Sequence, residues 1–467
     1  MTSSRTLSDS PGGIALGPED AGYDAARSGV QRTYLHRPSV VVRATGADDV
    51  RLAVRRAARH GLAVAVQATG HGLNVPTEGG VLIDTSPMAG VRIDPAARTA
   101  RVAAGTRWER VIDAAAEHGL APLSGSSPDV GVVGYTLSGG LGLLSRTFGY
   151  AADHVRRVEL VTADGELRSV GPGEDLFWAL RGGGGNFGVV TGLEFGLFPV
   201  DRFYGGGLYF DTRELPAVLR AYREWTATVP DTMSSSIGLI PMPDLPGVPA
   251  PLRGRHLAHV RIAHLGAPGS GERLVAPLRA LGPRLVDTLG EMPFTASGTI
   301  HNEPKQPRNF YCANAMLSEF DAALPDAVLD LVGPGSGSFA VVQFNHLGGA
   351  LAGRPEPANA VSHRGASHVL RVVTLPQGPG PDPAHEVAHS VTRAAAAWTL
   401  GRSPNFVQGD RTAHEQAREC YEPAAFDRLA ALKAVHDPGN MFRCNVNIPP
   451  AGQDGNETHG VRGVADV

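Results

Sequence analysis

The chain has 467 residues, 42% hydrophobic and 19% charged, with a formal net charge of −4, a balance that marks an ordinary globular protein with material for two or three structural units. Without a basic excess, the chain is not expected to bind nucleic acid, which needs clustered Lys and Arg. No window offers the ~18 consecutive apolar residues of a membrane span, and the opening MTSSRTLSDSPGGIALGPED lacks the features of a signal peptide, so no membrane partner and a cytoplasmic setting are expected. Cys312, Cys420 and Cys444 are odd in number and far apart, which fits neither a disulfide framework nor a zinc site, and no metal is expected.

Residues 1–35 are rich in Gly, Ser, Pro and Asp and read as an irregular lead-in. SVVVRA (39–44) reads as a strand. The following TGADDVRLAVRRAARHG reads as a helix capped by Thr45, with acids in its first turn, apolar residues at Val50, Ala53, Val54 and Ala57, and a stop at Gly61. LAVAVQ then follows as a buried strand. Strand, helix and strand within about thirty residues predict a right-handed βαβ unit. The loop QATGHGLN leaves the C-terminal end of its second strand, the edge where ligands of α/β units gather, and places His71 between Gly70 and Gly72.

A short strand VLIDTS (81–86), a hairpin turning at Asp94-Pro95 and an Ala-rich helix over 108–118 closed by Gly119 come next. VRRVELVTADGELRSV is a hairpin in which Asp164-Gly165 supplies the positive φ angles of a tight turn. EDLFWALRGGGGNFGVVTGLEFGLFPV is a helix, a glycine loop and a strand. Its GGGNFG (183–188) matches G-x-G-x-x-G, but a dinucleotide fingerprint must follow a strand and open a helix, and this one does the reverse.

The stretch SGSSPDVGVVGYTLSGGLGLLSRTFGYAADHV interleaves Gly125, Gly131, Gly134, Gly139, Gly140, Gly142 and Gly149 with Ser and Thr. Such glycine density lets successive backbone N–H groups turn inward and cradle a diphosphate without Lys or Arg. Val130, Val132, Val133, Leu137, Leu141, Leu143 and Leu144 make it a buried loop rather than a surface one. Beyond residue 200, proline clusters separate strand-like runs (HLAHVRIAHL, FAVVQFNHLGG, SHVLRVVTL) from helical ones (AHEVAHSVTRAAAAWTL), which predicts a second α+β domain with a largely antiparallel sheet. The end reads as a helix, an extended segment and a disordered tail.

Five segments, HGLAVAVQATGHG (60–72), GLAPLSGSSPDVGVVGYTLSGGLGLLSRTFGYAADHV (119–155), DLFWALRGGGGNFGVVTGLEF (175–195), GGALAGRPEPANAVSHR (348–364) and RLAALKAVHDPGNMFRCNVNIPP (428–450), together resemble the FAD-linked oxidases of the vanillyl-alcohol oxidase type, and among them the berberine bridge enzyme-like oxidases. The resemblance implies an α+β fold: a two-part FAD-binding domain of the PCMH type over 36–202, a substrate domain over 203–420 with a mostly antiparallel sheet flanked by helices, a segment 421–450 that returns to the FAD domain, and a disordered tail 451–467. It implies FAD joined covalently to His71, with Thr69, Gly70, Gly72 and Leu73 around flavin and ribityl. Ser127, Asp129, Val130, Gly131, Gly134, Tyr135, Thr136, Gly139, Gly140 and Gly142 would surround the diphosphate and ring, Val190 the adenine, and Asn445 and Asn447 would return to the flavin. Many relatives form a second flavin bond through a cysteine where Ser127 stands here, so a single attachment is expected; Gln67 replaces a common arginine.

The implied reaction passes a hydride from a small organic substrate (an alcohol, amine, sugar or natural-product intermediate) to the flavin and electrons onward to O2, with oxidative cyclisation or ligand binding without turnover as the alternatives. A base must take the partner proton. Tyr421 resembles the family's C-terminal active-site tyrosine, but acting as a base would need a lowered pKa. Gln343 and Asn345 share one face of a strand with His346 on the other, and Asn405 sits where relatives show Tyr-x-Asn, with Ser403 at the tyrosine's place. A monomer or homodimer is expected.

Overall fold

The computed structural model describes residues 13–73, 75–378, 382–407 and 413–453. Val40–Arg43, the helix Ala47–Arg59 and Val64–Gln67 form as read, but the strands on either side of the helix are not neighbours: Val81–Asp84 lies between them, parallel to both. The helix opens at Gly46 without a side-chain cap; Thr45 instead donates its N–H and hydroxyl to Asp49 at 2.8 and 2.7 Å. The reason is burial: Asp49 is 3% exposed and holds the incoming chain against the first turn.

The described part of the lead-in is not irregular. Ile14–Leu16 pairs antiparallel with Val40–Arg43, and Val30 and Gln31 donate their N–H groups to Thr69 O and Gly70 O, so this segment props the histidine loop. Of the tail expected to be disordered, Ala451 donates to Ala430 O and Gln453 to Pro438 O; residues 454–467, like 1–12, lie outside the described residues.

A second, five-stranded antiparallel sheet runs Val91–Asp94, Thr99–Ala103, Val189–Gly196, Val155–Val161, Leu167–Val170. In the 155–170 hairpin only Gly165 takes a positive φ, 75°, and Asp164 instead accepts from Thr162 Oγ1 and Glu166 N. The glycine-rich stretch folds over this sheet, with Trp108 edge-on to both Tyr135 and Phe195 at 5.5 and 5.6 Å. Tyr421, Phe426, Leu429, Val446 and Ile448 join the same core, so the C-terminal segment packs back on this half.

Residues beyond 200 build a nine-stranded sheet ordered Arg284–Asp287, Arg202–Phe210, His256–His264, Met233–Pro241, Ala340–His346, His368–Thr374, Tyr311–Leu317, Thr399–Gly401, with Gly290–Pro293 also on Arg202–Phe210; the recorded pairs are all antiparallel. Strand alternation gives the sheet two chemistries. Ala258, Val260, Ile262, Ile237, Leu239, Val342, Phe344, Leu370 and Val372 face the helices Leu215–Thr226, Ser270–Arg279, Leu324–Val332 and Pro383–Ala394 in one apolar core. The opposite face carries His259, Arg261, Ser236, Gln343, Asn345 and Arg371 and looks towards the glycine loops.

The two halves are bolted together by Arg146, 5% exposed, from the short helix Ser145–Phe148. Its guanidinium donates to Met233 O at 2.8 Å, to Asp231 at 3.0 Å, to Leu347 O, and contacts His346 Nε2 at 3.0 Å. No helix among the described residues is long and apolar enough to cross a membrane.

Candidate active site

A continuous cavity of about 870 Å³ runs between the glycine loops and the polar face of the large sheet, towards the upper end of the ~300–1,000 Å³ usual for ligand sites. His71 stands on its wall just past the strand Val64–Gln67. Its Nδ1 is 2.8 Å from Thr69 Oγ1, which fixes the ring. Burial, reinforced by Arg107, pushes its pKa down to about 4, so the imidazole is neutral at physiological pH with a lone pair available.

The two glycines beside it serve different ends. Gly70 has φ 67°, and a Cβ there would fall 2.5 Å from Gly29 Cα, so it permits the lead-in to cross the loop; a Cβ on Gly72 would meet nothing within 4 Å and would project into open space. Gly70→Ala is expected to add ~1–2 kcal/mol of left-handed backbone strain on top of the Gly29 collision. Lower flavin content together with a lower thermal midpoint would register it; wild-type values for both would refute it.

Of the residues expected to hold a cofactor, Thr69, Gly70, His71, Gly72, Leu73, Ser127, Val130, Gly131, Gly134, Tyr135, Gly142, Val190 and Asn445 line the cavity. Asp129, Thr136, Gly139, Gly140 and Asn447 are not among its lining. Asp129 turns to Arg107 and Lys305 at 3.7 and 3.9 Å. Thr136 is 2% exposed in the helix Val132–Leu137. Gly139 and Gly140 adopt φ 108° and 78° so that their carbonyls can accept from Ala152 and Ala151; a Cβ on Gly140 would strike Tyr135 at 2.6 Å. Their glycine character is explained by a chain crossing.

The loop at 183–188, set aside as a dinucleotide fingerprint, does follow a helix and open a strand, yet Gly183, Gly184, Gly185, Asn186 and Gly188 line the cavity. Asn186 donates to Val446 O at 3.1 Å and accepts from Ile448 N at 3.0 Å, holding the C-terminal segment against the loop. Asn405 lies between the halves: it accepts from Gly140 N and donates to Tyr135 O, both at 3.0 Å.

The catalytic candidates separate. Gln343 and Asn345 face the cavity, and Gln343 Oε1 and Asn345 Oδ1 are buried without a partner. Tyr421 touches the cavity, but its hydroxyl donates to Gly182 O at 2.9 Å, and burial drives its pKa well above the ordinary tyrosine value. That is the opposite of what a base needs, and the hydroxyl is a structural donor here.

The sequence reading passed over His259, Arg261, His301 and Arg371. Register places His259, Arg261 and Arg371 in rows: Tyr209, His259, Gly238, Gln343 and Arg371 lie opposite one another across five strands, and Gly207, Arg261, Ser236 and Asn345 form the next row; His301 lines the same cavity outside the sheet. The signal was present in HLAHVRIAH, where His259 and Arg261 alternate with Ala258, Val260 and Ile262. A Cβ on Gly238 would lie 2.9 Å from Arg261 Nη1 and one on Gly207 would strike His259 Nε2, so these glycines leave room for the polar side chains to lie flat. His259 stacks on Tyr209 at 3.8 Å. Its Nδ1 accepts from Arg261 Nε at 3.1 Å, which leaves Nε2 as a buried N–H lying over Gly207.

The donor set suits FAD. Gly72 and Gly134 leave open cradles on the wall, the loops at 125–142 and 183–188 supply backbone without side chains, and buried Gln67 Oε1 and Asn445 Oδ1 await partners. Comparison with known proteins agrees: residues 38–171 match the family described as FAD binding domain. The chain belongs to the FAD-linked oxidases of the vanillyl-alcohol oxidase, or PCMH, type, and is an FAD-dependent oxidoreductase.

It is 30% identical over 462 residues to (R)-6-hydroxynicotine oxidase of Paenarthrobacter nicotinovorans, covering 94% of this chain and 97% of that protein. It superposes on the crystal structure of 6-hydroxy-D-nicotine oxidase from Arthrobacter nicotinovorans with a TM-score of 0.81 at 28% identity, over 94% and 98% of the two chains. It shares the fold of glucooligosaccharide oxidase from Acremonium strictum, with a TM-score of 0.84 at 20% identity over 96% and 99%.

Proposed function

We propose that the protein is an oxidase that removes a hydride from a small organic substrate, uses O2 as electron acceptor and carries its FAD covalently on His71. The observation that carries the covalent assignment is a neutral, ring-fixed imidazole beside an open glycine cradle on the wall of the cavity. The flavin of glucooligosaccharide oxidase is described as 6-S-cysteinyl, 8α-N1-histidyl FAD; Ser127, which lines the cavity here, cannot supply a thioether, so one attachment is expected.

When bound, FAD supplies a two-electron acceptor for hydride and a route to O2. The chain does the rest. The loops at 69–73, 125–142 and 183–188 hold the cofactor by backbone, and Asn445 offers an amide from the returning segment. Substrate would sit against the sheet face, where the amides of Gln343 and Asn345 orient it. The positive field of Arg261 and Arg371 favours negative charge developing on a substrate oxygen.

Intact mass and visible spectrum of acid-denatured wild type and His71→Ala test the reading. Wild type is expected heavier by one FAD and yellow after denaturation, and His71→Ala at its bare polypeptide mass. Wild-type flavin released by denaturation would overturn covalent attachment; a protein that stays colourless with added FAD would overturn the cofactor.

A further inference from the structure

The two guanidinium groups on the sheet face have no carboxylate in contact among the described residues. Arg261 is 4% exposed, donates Nε to His259 Nδ1, and leaves Nη1 buried without a partner. Arg371 lies with Cζ 3.9 Å over the Phe406 ring and leaves Nε buried and unpartnered. Among the described residues neither forms an ion pair with a carboxylate. Burial pulls the pKa of Arg261 down to about 10, which still leaves it charged.

The cavity as a whole is lopsided. Leaving aside Arg146, which Asp231 pairs, its described lining carries Arg261, Arg308 and Arg371 against a single carboxylate, Glu303. Glu303 accepts from Ser126 Oγ at 2.7 Å and lies 3.9 Å from His301, so its charge reaches Arg261 without pairing with it. The glycine loops suited to a diphosphate belong to the other half of the molecule, so cofactor phosphate does not answer to Arg261 and Arg371. Around the guanidinium groups, Val341, Val373, Phe339 and Leu375 line the cavity with apolar surface. Charged donors buried beside an apolar wall recognise an anion on an otherwise apolar molecule.

We propose that the substrate carries a carboxylate, held by Arg261 and Arg371 against the sheet, and that cationic amines are excluded. This deepens the oxidase reading and rests on it for the fate of the bound molecule, but the binding site stands on the sheet alone. Gly238 is part of it, because its missing Cβ gives Arg261 its place.

The test titrates purified holoenzyme with benzoate, benzamide and benzylamine, three probes of one shape and different charge, followed by thermal shift and by perturbation of the flavin spectrum. Benzoate is expected to bind at least about tenfold more tightly than benzamide, and benzylamine to give no shift. Arg261→Met and Arg371→Met are each expected to weaken benzoate about tenfold and leave benzamide unchanged. Gly238→Ala, which displaces the guanidinium without removing charge, should act in the same direction and guards against a folding defect in the arginine variants. Benzoate no better than benzamide, neither binding, or benzylamine preferred would each overturn the proposal. A yellow protein that prefers benzylamine would leave the flavoenzyme reading standing, whereas a colourless one that selects benzoate by thermal shift would keep the anion site and sink that reading.

Discussion

Replacing Lys433 by Met is expected to destabilise the protein by about 3–5 kcal/mol, the usual cost of removing one partner from a buried ion pair. Lys433 and Asp437 are both 0% exposed on or just beyond the helix Pro423–His436. The ammonium uses its donors fully, on Asn186 O at 2.6 Å, Asp437 Oδ2 at 2.7 Å and Phe442 O at 3.1 Å. Asp437 in turn accepts from Met441 N and Phe442 N at 2.8 and 2.9 Å. Met fills the volume but strands the carboxylate and two carbonyls in the core. The urea midpoint should fall sharply, and Lys433→Met with Asp437→Asn should recover part of the loss, since the stranded charge is then gone. An unchanged midpoint in the single variant would refute the argument.

Acid should unfold the protein well before its carboxylates protonate. His36, His346 and His368 are held neutral: burial, followed by Arg27, lowers His36 to about 4; burial, followed by His368 and Arg146, lowers His346 to about 2; burial, followed by Arg146, lowers His368 to about 3. Their folded pKa values lie below the unfolded value of ~6.5. The unfolded chain therefore binds the extra protons, so the stability they contribute is complete above pH ~6.5 and drains as pH falls towards the folded values. Each group approaches about 1.4 kcal/mol per pH unit, or about 4 kcal/mol for the three between pH 6 and 5. Urea midpoints at pH 7, 6 and 5 measure it; a flat profile over that range would exclude it.

Much of the first half of the fold was legible because its periodicities are clean. The helix Ala47–Arg59 buries Val50, Ala53, Val54 and Ala57, the same residues its spacing marks. What the local pattern could not show was Val81–Asp84 entering between the strands of the βαβ unit, because strand order is a non-local property. In the second half the strands Arg202–Phe210 and Met233–Pro241 were hidden by RFYGGGLYF and MSSSIGLIP, whose glycines and serines mimic turns. Two of those small residues, Gly207 and Gly238, leave room for His259 and Arg261 to lie across them. The cofactor loops are legible mainly through the histidine and the glycine density, but which glycines serve a ligand and which serve a chain crossing depends on the neighbours each meets in the fold and on φ, as Gly140 shows against Tyr135 and Ala151.

Asn186 reaches Val446 and Ile448 with both ends of its amide, and Lys433 ties Asn186 O to Phe442 O. The wall of the cavity near the 183–188 loop is therefore finished by residues made some 260 positions later than the loop itself. During synthesis from the N-terminus, a nascent chain can fold the histidine strand and the five-stranded sheet while this wall still stands open. This wall of the cavity is thereby complete only once residues 442–448 have been made and have packed against the loop.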